Sequence, residues 1–211
     1  MNLYDGEIWL KINKKIIFSL IIVLLLIGGG FFWWQKIRET PIEKWEAAEV
    51  SSEEDYIIKE TPEGKVVENK KMGLIYKIPK DWILEKGDPT TFYSPDTKIW
   101  EKRSDILEKG CKIYIWTSYI KTNLDTLKKF LDANFSKLSS VIKVDESSTI
   151  KVNNYSALRY KYHIENLGMW YISVDFPSKG KLYKILIFNP IEEKERCEVE
   201  FNKFLETVSI E

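Results

Sequence analysis

Nineteen consecutive residues, Ile16 to Trp34 (IIFSLIIVLLLIGGGFFWW), carry no charge and only one weakly polar member, Ser19. A helix of that length, at about 1.5 Å per residue, matches a bilayer core roughly 30 Å thick. Trp33 and Trp34 stand at its far end, where indole rings favour the headgroup layer. A helix apolar on every side has nothing to bury it inside a chain of 211 residues. The run therefore reads as a transmembrane signal-anchor rather than a core helix. A cleaved signal peptide is the alternative, with Lys11 to Lys15 as its basic region, Ile16 to Ile27 as its apolar region and a cut at Phe31 after Gly28 and Gly30. The apolar run continues through the glycines to Trp34, which favours the uncleaved anchor. No cysteine follows before Cys111, so a lipid-modified cysteine is absent. Gly28 to Gly30 is too unspecific to serve as a helix-dimerisation motif.

The flanks give an organisation. Residues 1–15 form a short cytoplasmic tail and 16–34 the anchor. Residues 35–55 carry seven acids against three bases and read as an acidic linker, partly helical between Ile37 and Ala48, with Ile42 and Trp45 on one face. Residues 56–211 form one domain. The expected protein is single-pass in the cell membrane, held in the lipid bilayer through Ile16 to Trp34, with its N-terminus cytoplasmic and its domain outside the cytoplasm. A short N-terminal tail before a single early apolar segment decides the orientation, because basic residues are nearly equal on the two flanks.

Within 56–211 the patterns are mostly of period two. Tyr56 to Glu68 holds two β-prone runs around a turn at Thr61-Pro62-Glu63-Gly64. Leu74 to Ile78, Thr91 to Tyr93 and Cys111 to Ile120 read as strands. In Ala157 to Ile164, Leu158, Tyr160, Tyr162 and Ile164 point one way and Arg159, Lys161 and His163 the other. In Trp170 to Phe176, Trp170, Ile172, Val174 and Phe176 share a side. Ser178 to Lys181 makes a hairpin turn into Leu182 to Phe188, which is apolar on both faces, as in a strand covered on both sides. Two helices are predicted. One opens at Thr122 with the stripe Leu124, Leu127, Leu131, Phe135 and Leu138. The other runs from about Ile191 to Val208 with Cys197, Phe201, Phe204, Leu205 and Val208. The expected class is α+β: an antiparallel β-sheet with helices on both faces, an α/β/α sandwich, preceded by one transmembrane helix.

Gly73-Leu74-Ile75-Tyr76-Lys77-Ile78-Pro79-Lys80-Asp81-Trp82 resembles the opening signature of PsbP-like domains, a strand, a proline and a tryptophan. Phe92-Tyr93-Ser94-Pro95-Asp96 resembles their second strand and turn. Val152 to Tyr160 resembles the hairpin into their long strands, with Asn154 where a glycine is common. Tyr183 to Phe188 and the helix through Val208 resemble their end. The resemblance covers roughly residues 57–210, and its order along the chain carries it. It implies a fold shared with a nuclear Ran-binding protein of the Mog type. The founding roles differ, so it implies no function.

Chemistry is sparse. One histidine and two cysteines exclude a multi-ligand zinc site, and no metal or cofactor is expected. Lys+Arg and Asp+Glu are 32 each, so no nucleic-acid partner is expected. No nucleophile elbow, glycine-rich phosphate loop, C-x-x-C or H-E-x-x-H occurs. His163 reads as an edge-of-sheet histidine. Asp81, Asp88 and Asp96 fall in loops near Trp82. No catalytic residue is assigned. Trp100 and Tyr155 are candidate exposed contacts for a partner. Cys111 and Cys197 form a disulfide if the closing helix packs on the face shared by Cys111, Ile113 and Ile115. Otherwise they are two buried thiols. The favoured reading is a non-enzymatic binding or accessory module for an unidentified envelope protein or small ligand. The alternatives are a hydrolase-like enzyme and a ligand sensor coupled through the single helix.

Overall fold

The computed structural model describes residues 39–101, 103 and 106–211. Its compact unit begins at Glu39. The anchor segment Ile16 to Trp34 and the tail 1–15 lie outside the described residues.

The chain runs β1 (Tyr56–Thr61), β2 (Gly64–Asn69), β3 (Leu74–Pro79), β4 (Ile83–Leu84), β5 (Thr91–Tyr93), β6 (Lys98–Ile99), β7 (Leu107–Lys109) and β8 (Lys112–Ser118). It continues with helix α1 (Leu124–Lys137), β9 (Lys143–Val152), β10 (Tyr155–Ile164), β11 (Met169–Ser178), β12 (Lys181–Pro190), helix α2 (Lys194–Leu205) and β13 (Ser209–Ile210). A seven-stranded sheet has the order β4-β5-β8-β12-β11-β10-β9, and a four-stranded sheet the order β1-β2-β3-β13. Every pairing among these strands is antiparallel.

Local chemistry explains the joints. Gly64 has φ 134° and its Cα faces β3 so closely that a Cβ there would stand 2.2 Å from the Ile78 carbonyl oxygen. Lys179 and Gly180 both have positive φ, 50° and 77°, the backbone that a two-residue hairpin requires between β11 and β12. Helix α1 is capped by Asn123, whose side chain accepts from the Thr126 amide at 2.9 Å, one residue later than the Thr122 start read from the sequence.

The large sheet has two unlike faces. On the inner face Ile113, Ile115, Ile172, Val174, Phe176, Tyr183, Ile185 and Ile187 are buried against Val67, Tyr76 and Ile78 of the small sheet and Cys197, Phe201 and Phe204 of α2. On the outer face Leu158, Tyr160 and Leu182 are buried with Leu127 of α1 and Trp45, while Trp116, Phe130 and Leu131 are half-buried beside them.

This corrects the expected α/β/α sandwich. The described residues are mostly antiparallel strand, with two α-helices of 14 and 12 residues. The inner face is shared between a second sheet and α2, because β1 to β3 bring their own apolar residues to it. No helix among the described residues is long and apolar enough to cross a membrane. The expected transmembrane signal-anchor and the single-pass cell-membrane location are thus not borne out among the described residues.

The acidic stretch is attached to the domain from Glu39 onward. The Thr40 amide donates to the Lys121 carbonyl at 2.6 Å, the Tyr119 amide to the Glu49 carbonyl at 3.1 Å, and Val50 bridges Ser118. A short 3-10 turn, Ile42–Lys44, replaces the predicted helix. It turns Trp45 inward, where the ring lies 4.5 Å from that of Phe130 and the indole N–H donates to the Thr40 carbonyl at 3.1 Å.

Candidate functional site

A cleft of about 430 Å³ opens on the outer face between this strap, helix α1 and strands β8, β12 and β11. Strand register builds its floor. Asp175 on β11 faces Lys184 on β12, and Lys184 faces Trp116 on β8. One step along, Leu186 faces Tyr114. Leu127, Phe130 and Leu131 of α1 form one wall, and Trp45 and Glu46 of the strap the other. The lining is mostly apolar and aromatic, with three side chains that carry charge: Glu46, Asp175 and Lys184.

Asp175 is the unusual member, a carboxyl group only 3% exposed at the base of an apolar cleft. Its Oδ2 accepts from the Ser173 hydroxyl. Its Oδ1 has Lys184 Nζ at 3.8 Å, beyond hydrogen-bond length. Burial pushes its pKa above the usual carboxylate value, and Lys184 and the Ser173 bond only partly oppose the rise. Nearby, the Tyr160 hydroxyl donates to Asp132 at 2.7 Å, and burial holds its pKa above the ordinary tyrosine value.

The candidate residues read from the sequence lie elsewhere. His163 Nδ1 is 2.9 Å from Asp145 Oδ1, and its Nε2 is 3.9 Å from Glu165. The cleft around it is lined by Asp145, Glu146, Lys161, Trp170, Ile191, Lys194, Glu195 and Glu198, without a hydroxyl or thiol. Asp81 is exposed. Asp88 binds the Thr90 amide and hydroxyl and borders a separate acidic cleft of about 310 Å³. Asp96 pairs with Arg196 at 3.3 Å and Lys109 at 3.5 Å. These aspartates do not converge, and among the described residues no group of three His, Cys, Asp or Glu is placed to hold a metal.

Trp100 is exposed beside the β6–β7 hairpin. Tyr155 is half-buried: it opens β10, stacks on Phe176 with centroids 6.2 Å apart, and donates to the Ile210 carbonyl at 3.2 Å. Cys111 and Cys197 are joined by a disulfide with Cα atoms 5.7 Å apart, tying the start of β8 to α2 on the inner face.

No family model matches the chain, and no curated protein matches it. Solved structures are similar to it in chain path. LpqN, involved in cell envelope biogenesis of Mycobacterium tuberculosis, is 16% identical over 74% of this chain and 93% of its own, with a TM-score of 0.48. The cyanobacterial PsbP of Synechocystis is 13% identical over 68% and 90%, at 0.42. The Ran-binding protein Mog1p of Saccharomyces cerevisiae is 10% identical over 74% and 96%, at 0.42. The described domain is thus similar to proteins of the PsbP and Mog1 type, and the likeness concerns the fold alone.

Proposed function

We propose that this domain is a non-enzymatic binding module that takes a small molecule into the outer-face cleft. The carrying observation is Asp175, a buried carboxyl at the base of an apolar space of about 430 Å³. A sheet face that served only as packing would close over such a group or replace it. Small-molecule sites characteristically combine an apolar lining with a few fixed polar atoms. A hydrolase reading finds less support, because the His163–Asp145 pair faces a cleft lined by charged residues and no nucleophile.

Ligand-observed NMR with an aromatic fragment library tests this on the full chain. The control is Leu131→Trp, which fills the cleft from a half-buried position on α1. Fragments that bind the native protein lose binding to the variant. An absence of binders, or binders indifferent to Leu131→Trp, contradicts the reading.

A further inference from the structure

Resting on that binding-module reading, we infer that the ligand is an organic cation: an amine or ammonium group on a flat apolar body. Three features of the cleft point the same way. Each wall carries an aromatic ring, Phe130 on α1 and Trp45 on the strap, with centroids 4.5 Å apart, and Trp116 is on the floor. Indole and phenyl faces attract a cation placed over them. Its acidic and basic lining is two carboxyl groups, Glu46 and Asp175, against one amine, Lys184. Finally, Asp175 lines the cleft and the Lys184 Nζ is 3.8 Å from its Oδ1, beyond hydrogen-bond length, so this oxygen retains accepting capacity for an entering N–H.

Lys184 does not reserve the site for an anion. Its side chain is 34% exposed, against 4% for that of Asp175, so its head can withdraw toward water while the carboxylate cannot move. An entering ammonium takes the place that Lys184 holds loosely and makes the short bond that Lys184 does not make. An entering carboxylate would instead sit beside Asp175 and Glu46, with one mobile lysine to offset both. Burial already holds the Asp175 proton more tightly than an exposed carboxyl would, and a bound ammonium favours its release.

The test uses three probes of one shape on the full chain by calorimetry: naphthylmethylamine, naphthylmethanol and naphthoate. The amine binds about tenfold more tightly than the alcohol, the equivalent of one good charged contact, and naphthoate binds more weakly than both. Asp175→Asn removes the preference of amine over alcohol, and an unchanged far-UV circular dichroism spectrum of the variant reports that the fold is intact. Equal affinities for amine and alcohol, or a preference for naphthoate, overturn the cation inference while leaving the binding module standing. No binding of any probe overturns both.

Discussion

The two faces of the large sheet use the same strands and solve different problems. On the inner face every second residue of β8, β11 and β12 meets another apolar layer. The Cys111–Cys197 bond fastens that layer to α2. On the outer face the alternate residues of the same strands are Tyr114, Trp116, Ser173, Asp175, Lys184 and Leu186. Among the described residues they are covered by α1 and by a strap held by backbone bonds, by side-chain bonds at Glu39 and Thr40, and by Trp45. The difference teaches that a strand apolar on both sides, as Leu182 to Phe188 is, does not imply two equal cores. One side can be a core and the other the floor of a cleft.

The sharpest way to break this comparison is to truncate each face. Phe201 is fully buried on the inner face, and Phe201→Ala is expected to cost about 3–5 kcal/mol in urea unfolding. Leu131, half-buried beside the outer cleft, should cost only about 1–2 kcal/mol when replaced by alanine, since a partly exposed side chain loses less burial. Equal costs would mean that the two faces are equally closed.

Next in size is the disulfide. The two cysteines are 86 residues apart, and replacing both with alanine should cost about 2–4 kcal/mol, most of it through the freed unfolded chain. A loss near zero would separate the bond from the integrity of the inner face.

The smallest effect distinguishes two aspartates by pH. Asp175 has its pKa raised by burial, so the stability linked to it is complete below the unfolded pKa and is lost as pH rises through the folded one. Asp175→Asn should therefore raise Tm most above the folded pKa and do so less as pH falls below it, where the native carboxyl is protonated. Asp55 behaves in the opposite way. Its hydrogen bond with Lys71, at 2.6 Å, holds its pKa at about 2, so its contribution is present above the unfolded pKa and is lost as pH falls toward that value. Asp55→Asn should lower Tm at neutral pH and converge with the native protein in strong acid. Similar pH profiles for the two variants would contradict the burial assigned to Asp175.

Most of the inner face is legible in the sequence, because apolar residues at period two and at spacings of three and four report burial directly. Phe201, Phe204 and Val174 are examples. The outer cleft is not. Ser173 and Asp175 sit where an alternating strand presents its polar side, a pattern identical to that of a solvated face, and only the later packing of α1 and the strap buries them. Trp45 is hidden for a related reason. Its neighbours are charged, and nothing in Glu43-Lys44-Trp45-Glu46 reveals that the Thr40 amide will donate to Lys121 and the Glu49 carbonyl accept from Tyr119, laying the segment beside the residues that follow β8. Strand β9 leaves no apolar signal because its middle, Asp145 to Ser147, is exposed and polar, as suits the edge of a sheet.

The central claim, that the outer face is the receptive one, is tested most directly by methyl NMR of the full chain titrated with naphthylmethylamine. The account predicts shifts at Leu127, Leu131, Leu182 and Leu186, which surround the cleft, and none at Ile113, Ile115, Ile185 and Ile187 on the opposite side of the same strands. Shifts confined to the inner-face isoleucines, or spread equally over both sets, would contradict it.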